Sequence, residues 1–242
     1  MVDIEGIVAR VTEEVYKQLR DTVPQVPAGD LAGSIEHSLL NPDTPEEAIK
    51  KGCEDAKKYG FANVCVSPYY TSMAAEILRG SGVGLCVPVG FPHGAASTRA
   101  KCAEIREAIM NGATELDLSM MIVAIRSGDY GAVEKDLYEM VSTAGSRAKV
   151  KAIYEQGLLT DEEKERSLKI AVKCGVDFIK ISNALTGKKA IPDDVRYVRR
   201  IIGQGIGIKI DGGISDAQTV RELMAAGAQR FGCSKSVQIM GG

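Results

Sequence analysis

The segment Asp177-Phe178-Ile179-Lys180-Ile181-Ser182 sets a lysine inside an apolar, β-branched run. Gly175 precedes the run and Ser182-Asn183 closes it, which is the pattern of a short buried strand. A desolvated ammonium costs several kcal/mol unless it is paired or neutral, so a lysine there needs a reason. The pattern returns as Gly207-Ile208-Lys209-Ile210-Asp211, closed by Gly212-Gly213. A lysine amine attacks a carbonyl only when neutral. Lys180 is therefore expected to have a depressed pKa, from desolvation or from the neighbouring cation Lys209. Inward residues of adjacent strands, about 4.8 Å apart, would meet. Lys151, on an earlier strand, would add to the positive field. Snorkelling from a strand end explains any one of these lysines. Two in matched strands favour chemistry.

Asp117, in Glu115-Leu116-Asp117-Leu118, is a carboxylate within a strand and shares a face with Glu115. It can ion-pair with the lysines and position a proton or a water; the plainer alternative is a buried structural salt bridge. Glu155 lies four residues along a strand from Lys151, and a structural Lys–Glu pair is the preferred reading there. His37 reads as a hydrogen-bonded strand residue, whereas His93, in Gly90-Phe91-Pro92-His93-Gly94, could face a substrate from a loop. Cys65 reads as interior filling that could line the site. Gly212-Gly213, and Gly232 with Ser234 and Lys235, form two glycine turns whose backbone N–H groups suit a phosphate, with Lys235 or Lys188 adding charge.

The elements that would hold these residues alternate from Leu31 onward. Strands are expected at Ser34–Leu40, Ala62–Val66, Gly84–Val89, Glu115–Leu118, Val150–Tyr154, Phe178–Ile181, Ile206–Ile210 and Arg230–Gly232. Helical patterns lie near Pro45–Tyr59, Thr71–Leu78, Ser97–Asn111, Ala132–Ala144, Asp161–Cys174, Asp193–Ile202 and Asp216–Ala226, with a short last one after Ser234. Thr44-Pro45-Glu46-Glu47 and Thr160-Asp161-Glu162-Glu163 both read as N-terminal capping boxes, and Gly60, Gly112, Gly175 and Gly227 as C-terminal stops. Eight strand–helix units with no G-x-G-x-x-G after the first strand point to a (β/α)8 TIM barrel rather than a doubly wound sheet. The barrel would span 31–240 of a single 1–242 domain. An amphipathic helix at Ile4–Leu19 would form an extension over 1–30 and could cap a barrel end.

With 45% hydrophobic and 26% charged residues and a net charge of −2, the chain has ordinary globular composition. Its charges are interspersed, so neither a nucleic acid nor a membrane surface is an expected partner. The first twenty residues lack the apolar segment of a signal peptide. Six scattered cysteines without a C-x-x-C pair, and only two histidines, argue against structural zinc and a disulfide framework. A reducing, cytoplasmic location follows as the expectation. The helix faces permit a homodimer without requiring one.

The sequence resembles the deoxyribose-phosphate aldolase family over about Leu31 to Val237. The likeness rests on Glu36-His37-Ser38-Leu39-Leu40, Tyr59-Gly60-Phe61-Ala62-Asn63-Val64-Cys65-Val66, Gly90-Phe91-Pro92, Gly112-Ala113-Thr114-Glu115-Leu116-Asp117, Ser127-Gly128-Asp129-Tyr130, Leu158-Leu159-Thr160-Asp161-Glu162-Glu163-Lys164, Asp177-Phe178-Ile179-Lys180 and Asp211-Gly212-Gly213-Ile214. It implies a metal-free, cofactor-free class I aldolase in which Lys180 forms the Schiff base, Lys209 perturbs its pKa and Asp117 relays protons. The implied reaction is reversible cleavage of 2-deoxy-D-ribose 5-phosphate to acetaldehyde and glyceraldehyde 3-phosphate.

Departures from the family pattern cluster in the substrate-facing ring. Ile181-Ser182-Asn183-Ala184 replaces Thr-Ser-Thr-Gly, Ile214-Ser215 replaces hydrophobic-Arg, and Ser234-Lys235 replaces Ser-Ser. Glu36 stands for an Asp, Ser67 and Met121 for asparagines, and Gln156 for a Thr. Two further readings therefore stay open. One is a same-family aldolase for another aldose phosphate or an unphosphorylated 3-hydroxy aldehyde. The other is a non-catalytic barrel that binds a sugar phosphate, against which the retained Lys180, Lys209 and Asp117 argue.

Overall fold

The computed structural model describes residues 31–183 and 185–241. The helix expected at Ile4–Leu19 lies outside the described residues. Eight strands, β1 (Ile35–Leu39), β2 (Asn63–Val66), β3 (Gly84–Val89), β4 (Glu115–Ser119), β5 (Lys149–Glu155), β6 (Phe178–Ser182), β7 (Gly207–Asp211) and β8 (Arg230–Cys233), close into a barrel in chain order. All neighbouring pairs are parallel, including β8 with β1. The expected (β/α)8 architecture is the observed one.

The return helices are α1 (Glu46–Tyr59), α2 (Thr71–Leu78), α3 (Thr98–Met110), α4 (Ile122–Arg126), α5 (Tyr130–Ala144), α6 (Asp161–Cys174), α7 (Pro192–Ile202), α8 (Ala217–Ala225) and α9 (Ser236–Ile239). The capping box at Thr160 forms: its hydroxyl accepts from the Glu163 N–H while the Glu163 carboxylate accepts from the Thr160 N–H. The box expected at Thr44 does not. Pro45 takes the cap position in an extended conformation, and no side chain caps α1. Gly60 and Gly175 end α1 and α6 in the left-handed region, where a Cβ is strained. The short helix α4 was not expected; it begins at Met121 without a side-chain cap, inside a uniformly apolar stretch that carries no period.

Strand alternation divides the barrel's side chains into two sets. Outward residues such as Val64, Val87, Leu116, Leu118, Ala152, Ile179, Ile181, Ile208 and Ile210 are buried, in one core with Ile49, Ile105, Leu137, Leu168, Val195 and Val220 of the helices. The inward set is rich in charged residues, with Pro88, Ile153 and Phe178 among them, unlike the branched aliphatic filling usual for such barrels. Among the described residues, no helix is long and apolar enough to cross a membrane. All six cysteines are buried and free.

Candidate active site

Every strand sends at least one side chain into a single polar network on the barrel axis. Asp117, from β4, is its centre. One carboxylate oxygen accepts from Lys180 Nζ at 2.8 Å and Lys209 Nζ at 2.7 Å, and the other from Lys151 Nζ at 3.1 Å. The register puts Lys151 opposite Asp117, and Lys180 opposite Lys209. Glu36, from β1, pairs with Lys209 and, at 3.2 Å, with Lys151. Glu115 lies 2.7 Å from Lys151 and 3.7 Å from Arg230 of β8. Asn63 of β2 donates to Glu36 at 2.9 Å, and the Cys86 thiol of β3 donates to Asp117 at 3.2 Å. Lys180 also reaches Asp211, at the end of β7, at 2.5 Å. Four cationic side chains (Lys151, Lys180, Lys209, Arg230) thus face four carboxylates (Glu36, Glu115, Asp117, Asp211).

This balance corrects the expected pKa of the nucleophile candidate. Burial pushes Lys180 down and Lys209 adds to that, but the Asp117 and Asp211 carboxylates outweigh both and hold it above the ordinary lysine value. Lys151 and Lys209 are likewise held well above it, their burial outweighed mainly by Asp117 and Glu36. Burial would raise Asp117, yet the Lys151, Lys180 and Lys209 ammoniums hold it well below the carboxylate range. In the same way, Lys151 and Lys209 overcome burial and hold Glu36 at about 2. Lys180 is thus held in its charged form by these carboxylates, and it must give up a proton before it can act as a nucleophile.

The structure brings Lys180, Lys209 and Asp117 together as expected. Lys151 is buried on the axis and ion-paired with three carboxylates, Glu36, Glu115 and Asp117. The expected Lys151–Glu155 pair is absent; Glu155 instead accepts from the backbone N–H of Leu185 at 3.0 Å and so ties down the loop after β6. Cys65 is buried opposite Cys86 in the β2–β3 register. The Cys65 and Cys86 sulfurs and an Asp117 oxygen lie within 4.8 Å of one another, a spacing that would suit a metal ion. The Lys151 ammonium, 3.3 Å from the Cys86 sulfur, and a thiol pushed well above its usual pKa by burial make it a hydrogen-bonded cluster. His37 is buried and bonded to the Ser236 hydroxyl at 3.1 Å, and His93 is exposed.

Ser182, Gly212, Gly213, Gly232, Ser234 and Lys235 ring the C-terminal end of the barrel. A Cβ on Gly213 would lie 2.7 Å from Lys189 Cγ and 3.2 Å from its Cα, so the β6–α7 loop packs directly on the Gly-Gly turn. Lys188 and Lys189 are exposed on that loop, and Lys235 is exposed in the turn after β8. A family model described as DeoC/LacD family aldolase matches residues 31–240. The chain belongs to that family. It is 41% identical over 211 residues to the deoxyribose-phosphate aldolase of Bacillus cereus (strain AH820), covering 87% of this chain and 95% of that one. It is 42% identical over 213 residues to the enzyme of the same name from Geobacillus sp. (strain WCH70), covering 88% and 96%. The deoxyribose phosphate aldolase of Aeropyrum pernix, described as a tetramer, superposes with a TM-score of 0.81 at 30% identity, covering 88% and 90%.

Within this aldolase barrel the sequence alone assigns no role to Asn63, Cys86 or Arg230, nor to three residues nearer Lys180 and Lys209. Asp211 closes the Lys209 strand pattern and opens the Gly-Gly motif without a role of its own, although alternation from Lys209 puts it on the same inward face. Glu36 was noted as a departure without a partner. The Phe91 ring, whose centroid is 5.9 Å from Lys180 Nζ, comes from the loop after β3; its Gly90-Phe91-Pro92 motif marks the family without showing that the ring meets Lys180.

Proposed function

We propose that this DeoC/LacD aldolase reversibly cleaves 2-deoxy-D-ribose 5-phosphate to acetaldehyde and glyceraldehyde 3-phosphate through a Schiff base on Lys180. Lys180 alone among the three interior lysines is bonded both to the buried Asp117 and to Asp211 at the mouth, and this observation carries the reading. After losing a proton, its amine adds to the C1 aldehyde, and loss of water leaves an iminium. The C3 hydroxyl then gives up its proton as the C2–C3 bond breaks, releasing glyceraldehyde 3-phosphate and leaving an enamine on Lys180. Protonation at C2 and hydrolysis release acetaldehyde. Asp117 and Lys209 hold the charge around the iminium through this cycle.

The lysines around the Gly212-Gly213 turn favour a phosphorylated substrate over an unphosphorylated aldehyde, because they replace the charge absent at Ser215. The free cysteines fit a reducing, cytoplasmic setting, and the substrate is a small molecule.

Incubation with acetaldehyde and borohydride, followed by peptide mapping, tests the nucleophile. A gain of about 28 Da, the mass of a reduced ethylidene adduct, is expected on the Lys180 peptide. Folded protein without that adduct would leave a sugar-phosphate-binding barrel as the better account.

A further inference from the structure

Two carboxylates touch the Lys180 ammonium, and they are not equivalent. Asp117 is committed on both oxygens, accepting from three ammoniums and the Cys86 thiol. Asp211 lies closer to Lys180, at 2.5 Å, and its side chain is 21% exposed where Lys180 and Asp117 are wholly buried. On its other flank is Gly232 of β8, opposite it in register. A Cβ on Gly232 would fall 2.8 Å from Asp211 Oδ1 and 3.4 Å from Ser38 Oγ. The missing side chain thus keeps the second Asp211 oxygen uncrowded, and the neighbouring Ser38 hydroxyl is buried without a hydrogen-bond partner among the described residues.

We propose that Asp211 is the catalytic acid–base group that exchanges the proton with Lys180 during imine formation and hydrolysis. The proposal rests on the Schiff-base reading above. One ammonium proton passes from Lys180 Nζ to Asp211 Oδ2, leaving a neutral amine beside a carboxylic acid. The nitrogen lone pair adds to the aldehyde carbon, and a nitrogen-bound proton moves to the former carbonyl oxygen, giving a carbinolamine. Asp211 returns its proton to that hydroxyl, which leaves as water while the nitrogen lone pair forms the C=N bond. The result is a cationic iminium, a carboxylate and one water, so charge and atoms balance. Asp117 stays ionised throughout, because Lys151 and Lys209 remain charged beside it while Lys180 is neutral. The partial exposure of Asp211 lets the water enter and leave.

The test is the rate of borohydride-trapped adduct formation with acetaldehyde, measured by rapid quench on the full chain across a range of pH. Lys180 faces Asp117 from β4, Asp211 and Lys209 from β7 and Cys65 from β2, so a purely structural Asp211 has a distinct signature. Removing its charge would lower the Lys180 pKa and speed trapping or leave it unchanged. The catalytic role predicts the opposite: Asp211→Asn should slow trapping at neutral pH by about a hundredfold or more, with the rate climbing as pH rises. In Asp211→Ala, added formate should restore the rate in proportion to its concentration. Trapping by Asp211→Asn at or above the wild-type rate, or no response of Asp211→Ala to formate, would overturn the proposal. Failure of the wild type itself to trap on Lys180 would instead overturn the Schiff-base reading.

Discussion

Lys209 on β7 is ion-paired to Glu36 on β1, across the width of β8. The contact passes over a strand whose inward residue at that level, Gly232, is opposite both Glu36 and Asp211 in register. The pair thus depends on a strand that contributes no side chain there.

Glu36→Leu would leave Lys209 and Lys151 each short of a carboxylate in a wholly buried setting. Breaking one side of a buried pair costs about 3–5 kcal/mol. Urea denaturation should show a loss of this size, and a loss under about 1 kcal/mol would mean that water or rearrangement replaces Glu36.

Gly232→Ala should fold yet work poorly. The added methyl meets the Asp211 carboxylate at 2.8 Å and must push it from Lys180. The expected result is a reduced kcat with a thermal midpoint close to wild type; unchanged kcat would show that Asp211 has room to yield.

Stability should form a plateau in pH. Glu36 and Asp117 have depressed folded-state pKa values, so their contribution is present above the ordinary carboxylate value, 4.5 for Glu36, and is lost as pH falls through about 2. Lys151, Lys180 and Lys209 are raised, so theirs is present below 10.5 and is lost as pH rises through the folded-state values. A urea midpoint that dropped steeply between pH 7 and 5 would contradict lysine pairing that keeps Glu36 and Asp117 ionised over that range.

The loop bearing Phe91 is held from outside the barrel. Lys101 of α3 donates to the Gly94 carbonyl at 3.1 Å and pairs with Asp136 of α5 at 2.6 Å, while Gly90 rests on its stem. Lys101→Met should speed hydrogen exchange over residues 90–97 and raise KM more than it lowers kcat. Exchange unchanged from wild type would mean that the loop is fixed by its own backbone.

The barrel was legible because strand and helix periods alternate cleanly and helix ends carry caps such as Thr160-Glu163 and Gly175. Lys180, Lys209 and Asp117 were legible because a charge inside an apolar strand needs an explanation. What sequence could not supply was the sum of fields. Lys209 meets a Glu36 that lies 173 positions away, and such carboxylates reverse the pKa shift expected for Lys180. Asp211 was masked by its place beside a turn, where a polar residue needs no special account.

The axial network also bears on how the chain finds its pairing. Glu36, Asn63, Cys86, Asp117, Lys151, Lys180, Lys209 and Arg230 supply one partner from each of the eight strands. Side chains alternate across a strand, so a slip of one residue in β7 would turn Lys209 out among the aliphatic residues beneath the helices. Asp117 and Glu36 would then be left facing a void in their charge. A misaligned cylinder carries uncompensated ions both inside and out, whereas correct closure neutralises all of them at once.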